Sequence, residues 1–146
     1  MINKKLALKQ FTVMGFTDGL IDMIGEKEAD DEQFVEIWKD LKYSCNMLAV
    51  TLRKEHTLSK KDIKTVKIQI EKLKEKHIPN GKFSSMFACS FCMDLLTEQS
   101  VLCTYKKKAA FEKVFNVMKR MIKHFDKNNK YDDDKGMNMA EDYRRL

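Results

Sequence analysis

The sequence predicts an all-α protein, a single-domain helical bundle of five or six helices. The chain contains only five Gly and one Pro, whereas β-sandwiches and barrels need a turn every ~8 to 12 residues. Its apolar residues recur at the i, i+3, i+4, i+7 spacing of helices that turn one face towards a core. We expect the bundle to span residues 1–125, and residues 126–146 to form a polar C-terminal tail or a short helix.

The N-terminal segment predicts one helix that ends near Met14 and a short helix that follows it. Gly15 and Gly19 are natural helix stops, and Thr17 or Asp18 is a suitable N-cap for the second helix. Residues 11–16 also alternate in the manner of a strand, so a strand over these residues is the alternative.

The clearest helix spans residues 31–55, where the apolar side chains on one face predict a core-facing stripe. These side chains are Phe34, Ile37, Trp38, Leu41, Cys45, Leu48, Ala49 and Leu52. Tyr43, Met47 and Val50 lie off this face and form a second apolar stripe. Either the helix predicted at residues 83–96 packs over them inside the monomer, or they contact another chain. We therefore treat them as candidate residues for binding a protein partner or a second copy of the chain.

The next two helices carry their own N-terminal caps. Ser59 with Asp62 three residues later predicts a capping box, in which Asp replaces the usual Glu. Ser84 or Ser85 is the predicted cap of a helix over residues 86–96. Because that helix is apolar on nearly every side, we expect it to be buried in the bundle.

Residues 97–100 predict an interruption before the last helix, which we expect from Lys107 to Phe125. The last helix has a wide apolar arc, as expected for a helix that packs against two neighbours. This arc consists of Phe111, Val114, Phe115, Met118, Met121, Ile122 and Phe125.

Three cysteines form the pattern closest to a metal site: Cys89 and Cys92 in a C-x-x-C motif, and Cys103 further along, with His77 as a fourth ligand. Zinc requires all its ligands within ~2.0 to 2.3 Å of one point. The flanks are those of a core helix, whereas structural zinc pairs usually lie on polar turns. A thioredoxin-like dithiol would need strands alternating with helices. We expect buried, reduced thiols that bind no metal.

We also expect no enzymatic activity and no cofactor. His56, His77 and His124 fall at the ends of predicted helices, where an imidazole can bond the last carbonyl groups. No nucleophile or carboxylate motif accompanies them, and nucleotide-binding loops are absent from the sequence. Residues 126–134 resemble a calcium loop at first sight, but they lack the Gly and Glu that an EF-hand needs.

The sequence further predicts a cytoplasmic protein that does not contact a membrane. Residues 1–25 lack the apolar core of a secretory signal. The most apolar run, residues 83–96, is shorter than the ~20 residues that a span requires. Four cysteines without a signal also favour a reducing compartment.

Charge is segregated along a chain whose net charge is +6. Two predicted helices carry basic flanks, and side by side they would form a positive surface able to hold phosphates. The candidate nucleic-acid residues are Lys60, Lys64, Lys67, Lys74, Lys119, Arg120 and Lys123. Lys greatly outnumbers Arg, and no aromatic residue is interleaved among these lysines, so we expect any such binding to be weak.

The leading hypothesis is a small regulatory or adaptor protein that binds another protein through its helix faces. Its basis is a set of helices with wide apolar arcs, a second apolar stripe and no catalytic motif. The alternative is an accessory protein that binds nucleic acid through its lysine-rich faces. The richness in Lys, Ile and Asn is typical of AT-rich coding, which makes a phage or another mobile element a candidate source.

Overall fold

The computed structural model describes residues 4–55, 57–77, 84–103 and 105–128, which form helices without any strand. The helices are α1 (Lys4–Lys27), α2 (Glu32–Glu55), α3 (Lys60–His77), α4 (Ser85–Val101) and α5 (Tyr105–Lys127). The all-α class is confirmed, and the described residues form five helices. The predicted tail from residue 129 onwards, most of the calcium-like loop, and the side chains of His56 and His77 lie outside the described residues.

Four of the helices enclose a common core. α1 packs against α2 and α4, and α5 packs against the same two helices from the opposite side. Phe34 of α2 stacks on Phe125 of α5 with ring centroids 5.7 Å apart, and Phe16 of α1 meets Phe91 of α4 edge-on at 6.1 Å. α3 packs on the outside of α1. The fold is therefore a four-helix arrangement with one additional helix.

α1 is a single helix, so the predicted stop at Gly15 and Gly19 and the alternative strand are both wrong. Thr17 does not cap a new helix, because its hydroxyl donates to the carbonyl of Met14 within α1 at 2.9 Å. The physical reason is tertiary: α1 contacts α2, α3 and α4, so its side chains are buried on several sides and show no single helical stripe.

The glycines of α1 allow neighbouring helices to approach closely. A Cβ atom on Gly25 would lie 2.6 Å from the Trp38 indole of α2. That indole also donates a hydrogen bond to the carbonyl of Ile21 at 2.9 Å. At Gly15, the space that a side chain would need is occupied by Ile70 of α3. The glycines that predicted a helix end therefore mark positions where side chains of neighbouring helices pack closely against α1.

The predicted N-caps of α3 and α4 are confirmed, and α2 has a cap at Asp31 that was not predicted. The Asp31 carboxylate accepts from the backbone N–H of Phe34 at 3.2 Å and caps α2. The Ser59 hydroxyl accepts from the N–H of Asp62 at 3.1 Å, and the Asp62 carboxylate accepts from the N–H of Ser59 at 3.3 Å. This reciprocal pair is a capping box at the start of α3. Ser84 caps α4 by accepting from the N–H of Phe87 at 3.2 Å.

The predicted interruption at residues 97–100 is wrong, because α4 continues to Val101. The two hydroxyl side chains in this segment donate hydrogen bonds to backbone carbonyls of the same helix. Thr97 donates to the carbonyl of Met93, and Ser100 donates to the carbonyl of Thr97, both at 2.7 Å. α4 is buried along the face that meets α1 and α5, while Asp94 and Glu98 are exposed.

Replacing Gly25 by Ala tests the close approach of α1 and α2. Helix propensity alone favours Ala by about 1 kcal/mol. We nevertheless expect Gly25→Ala to lower the free energy of unfolding by about 1–2 kcal/mol, because the new methyl displaces the Trp38 indole and weakens its hydrogen bond. Denaturant melts followed by Trp fluorescence measure the free energy of unfolding, and the fluorescence of the folded protein reports on the surroundings of the Trp38 indole.

Gly19→Ala is the matched control, because the atoms nearest to its Cβ belong to the mobile end of the Lys74 side chain. We expect this variant to be as stable as the wild type or slightly more stable. Equal stability changes at the two glycines would contradict the close-approach explanation.

Candidate functional site: an apolar groove between α2 and α3

An apolar groove of about 210 Å³ lies between α2 and α3, and α1 forms its floor. α2 and α3 pack on different sides of α1, which leaves the surface of α1 between them open. The floor includes Phe11, Met14 and Gly15. Because Gly15 carries no side chain, it adds no bulk to the floor.

The walls of the groove come from the predicted apolar stripes of two helices. Ala49 and Leu52 of α2 form one wall, and Ile63, Val66 and Ile70 of α3 form the other. The small side chain of Ala49 leaves space between the two helices. The sequence predicted these residues as core-facing, and the structure shows that they border an opening at the protein surface.

The polar groups of the groove are Asp18, Asn46 and Lys67. The Asp18 carboxylate accepts from Lys42 Nζ at 2.6 Å, and Lys42 also lies 2.9 Å from Asp22. Partial burial lowers the pKa of Lys42, but the hydrogen bonds that Lys42 donates to the two carboxylates, together with their negative charge, outweigh this effect, so the net pKa is raised. Asp18 is therefore paired with a cation of α2, whereas Lys67, the basic residue among the groove lining, is exposed.

The second apolar stripe of α2, Tyr43, Met47 and Val50, borders the groove. These side chains are 68%, 48% and 48% exposed. Asn46 lines the groove and lies three residues after Tyr43 and four before Val50, so it is their neighbour on the helix surface. α4 packs against α1 and α5 and leaves the stripe exposed, so the prediction that it covers these residues inside the monomer is wrong.

Three of the predicted nucleic-acid residues lie on the other rim. Lys60, Lys64 and Lys67 are exposed and share one flank of α3, and Lys67 lines the groove. Lys74 is partly buried over Gly19, and its Nζ lies 3.6 Å from the Glu71 carboxylate.

The remaining basic candidates, Lys119, Arg120 and Lys123, are exposed on α5. Arg120 pairs with Asp40 of α2 at 3.0 Å. α5 packs against α2 and α4, whereas α3 packs against α1. α3 and α5 are therefore not packed side by side, so the condition for one joint positive surface is not met.

The cysteines carry free thiols. Cys45, Cys89 and Cys92 are buried as predicted, whereas Cys103 is only partly buried at the edge of the core, so its predicted burial is wrong. The thiols of Cys89 and Cys92 lie 3.9 Å from the carbonyls of Met118 and Thr17, which belong to different helices. Burial raises the pKa of Cys45 and of Cys89 to about 12. In the part of the chain that the structure describes, no three His, Cys, Asp or Glu side chains converge on a point that could hold a metal ion.

A hydrogen-bonded pair that the sequence did not reveal joins two helix ends. His124 Nε2 lies 2.8 Å from the carboxylate of Asp31, which also caps α2. The Asn128 side chain lies 3.4 Å from Nδ1, so both ring nitrogens contact other side chains. The pair links α5 to the N-terminal end of α2. His124 and Asp31 are far apart in sequence, and the local sequence around each is that of an ordinary helix end, so it does not predict their contact.

The chain matches no family model, no curated protein sequence and no solved structure. None of the described helices is long and apolar enough to cross a membrane.

The burial of the cysteines predicts their chemical reactivity. At about pH 8 we expect Cys103, which is only partly buried, to react with Ellman's reagent before the other three, because those thiols are buried and inaccessible to the reagent. In denaturant all four should react alike. The raised pKa values of Cys45 and Cys89 also affect stability. Their contribution to the free energy of unfolding is fully present when the pH is below the ordinary thiol pKa, and it is lost as the pH rises towards about 12.

Elemental analysis of the same preparation checks the expectation that no metal is bound. Near-stoichiometric zinc that disappears when Cys89 and Cys92 are both replaced by Ser would contradict it. Rapid reaction of Cys45 in the folded protein would contradict the burial of that thiol.

Proposed function

We propose that this protein is a small, non-enzymatic regulatory or adaptor protein that acts by binding another protein through its helix faces. The observation that carries the proposal is the apolar stripe of Tyr43, Met47 and Val50, exposed beside an apolar groove. Contiguous apolar surface of this kind is a feature of interaction sites. Tyr and Met are also enriched in protein interfaces.

The groove supports binding better than catalysis. Its carboxylate, Asp18, is held by Lys42 at 2.6 Å. Its thiol, Cys45, has a pKa raised to about 12 by burial and by the nearby charge of Asp18. A cysteine nucleophile needs a lowered pKa and an adjacent base. Both groups are therefore poorly suited to acid–base or nucleophilic chemistry.

Replacing Tyr43 and Val50 together by Glu tests the proposal. Both side chains are largely exposed, so we expect the variant to keep a cooperative thermal melt. We expect tagged wild-type protein, purified from its native cell with nuclease present, to retain a protein partner that the variant loses. Light scattering shows whether that partner is a second copy of the chain.

Ile68→Glu combined with Val101→Glu is the matched control. These two positions are also exposed and apolar, at 48% and 73%, and they lie on α3 and α4. The Ile68 and Val101 variant should retain the protein partner in the same purification. Collapse of the melt in the Tyr43 and Val50 variant would show that the stripe is part of the core, and unchanged capture would show that it is not the binding surface.

The alternative function, binding of nucleic acid, is favoured by the exposed flank of Lys60, Lys64 and Lys67. We expect such binding to be weak, tolerant of sequence and steeply dependent on salt, because Lys contacts to phosphate act through counterion release. Replacing Lys64 and Lys67 by Glu should then weaken binding to all sequences alike. Filter binding over a salt series measures this, and sequence-selective binding at physiological salt would contradict it.

A further inference from the structure

We infer that the groove between α2 and α3 binds an amphipathic helix of a partner protein, and that acidic residues flank the apolar face of that helix. The inference rests on the proposed function and adds the chemistry of the partner. Two properties of the groove carry it: the length and composition of its walls, and the charge of its rims.

The walls suit a helix better than an extended peptide. The wall residues run from Cys45 to Leu52 on α2 and from Ile63 to Ile70 on α3, which is two helical turns or about 10 Å in each case. A bound helix presents apolar side chains at i, i+3, i+4 and i+7 over that length and satisfies its own backbone hydrogen bonds.

Other peptide conformations fit less well. An extended peptide would leave backbone polar groups facing an apolar floor, and the described helices offer no strand edge to pair with it. A polyproline segment docks between aromatic side chains, whereas the groove lining contains a single aromatic residue, Phe11.

The charge of the rims defines the flanks of the partner helix. Lys60, Lys64 and Lys67 are exposed on the α3 side. Arg53 is exposed on the α2 side, seven residues after Asn46 and therefore on the same face as this lining residue. Cations on both rims favour a ligand with carboxylates on either side of its apolar stripe.

Three acidic side chains near the groove lie beside basic side chains. Asp18 is held by Lys42 at 2.6 Å, Glu71 lies 3.6 Å from Lys74, and Asp62 lies 3.4 Å from Lys4. Because Asp18 shares Lys42 with Asp22, that cluster keeps one negative charge, and the four exposed cations of the rims outweigh it. Nucleic acid would use these cations without filling the apolar floor, and an anionic membrane is too flat to enter the groove, so both serve as competing outcomes of the test.

The test uses two synthetic helical peptides that share one Leu stripe at i, i+3, i+4 and i+7. One has Glu on both flanks of the stripe, and the other has Lys in the same positions. Fluorescence anisotropy of labelled peptide measures binding to the full chain. We expect saturable binding of the Glu peptide that is at least about tenfold tighter than that of the Lys peptide.

Two variants locate the binding site. The double variant Lys64→Glu with Lys67→Glu should weaken binding of the Glu peptide by about tenfold or more. The matched control on α5, Lys119→Glu with Lys123→Glu, should have little effect on that binding. Ala49→Phe places a large side chain in the groove and should weaken the binding of both peptides. A thermal melt checks that this variant is folded.

Equal binding of the two peptides, equal effects of the α3 and α5 charge reversals, or indifference to Ala49→Phe would each overturn the inference. Tighter binding to duplex DNA or to anionic vesicles than to the Glu peptide would overturn it as well. If the Tyr43 and Val50 variant loses the native partner but the Glu peptide fails to bind, the proposed function stands and the acidic-helix inference is wrong.

Discussion

The contact between Trp38 and Gly25 sets the approach of α1 to α2, and the rest of the structure depends on it. The indole lies where a side chain at Gly25 would be, and it donates to the carbonyl of Ile21 at 2.9 Å. This contact holds one end of α1 against α2, while Gly15 allows Ile70 of α3 to pack on another side of α1. The groove is the space that remains between the two helices which α1 supports.

The electrostatic character of the groove follows from the same packing. Lys42 lies between Asp18 and Asp22 of α1, so this cluster near the floor carries one cation against two carboxylates. The lysines of the α3 rim lie outside this cluster and are exposed. An apolar floor with cationic edges results, and this combination favours a ligand that is apolar in the middle and acidic at its sides.

The elements that the sequence predicted correctly are those whose signals are local. The capping box of Ser59 and Asp62, the cap at Ser84 and the apolar stripe of α5 depend on spacing within one helix, and the structure shows each of them. The second stripe of α2 was also visible as Tyr43 and Val50, because an amphipathic helix needs only one apolar face.

What only the tertiary structure decided is which surfaces meet. Local sequence cannot distinguish a glycine that ends a helix from one that admits a neighbouring side chain, so the continuity of α1 through Gly15 was missed. The pairing of His124 with Asp31 and the position of Lys67 beside an apolar groove likewise depend on helices that are distant along the chain. The sequence by itself determined the apolar faces of α2, α3 and α5, because those follow from spacing within each segment. The packing of α3 on α1 decided that one of these faces borders an open groove, because burial depends on the neighbours a helix has in space.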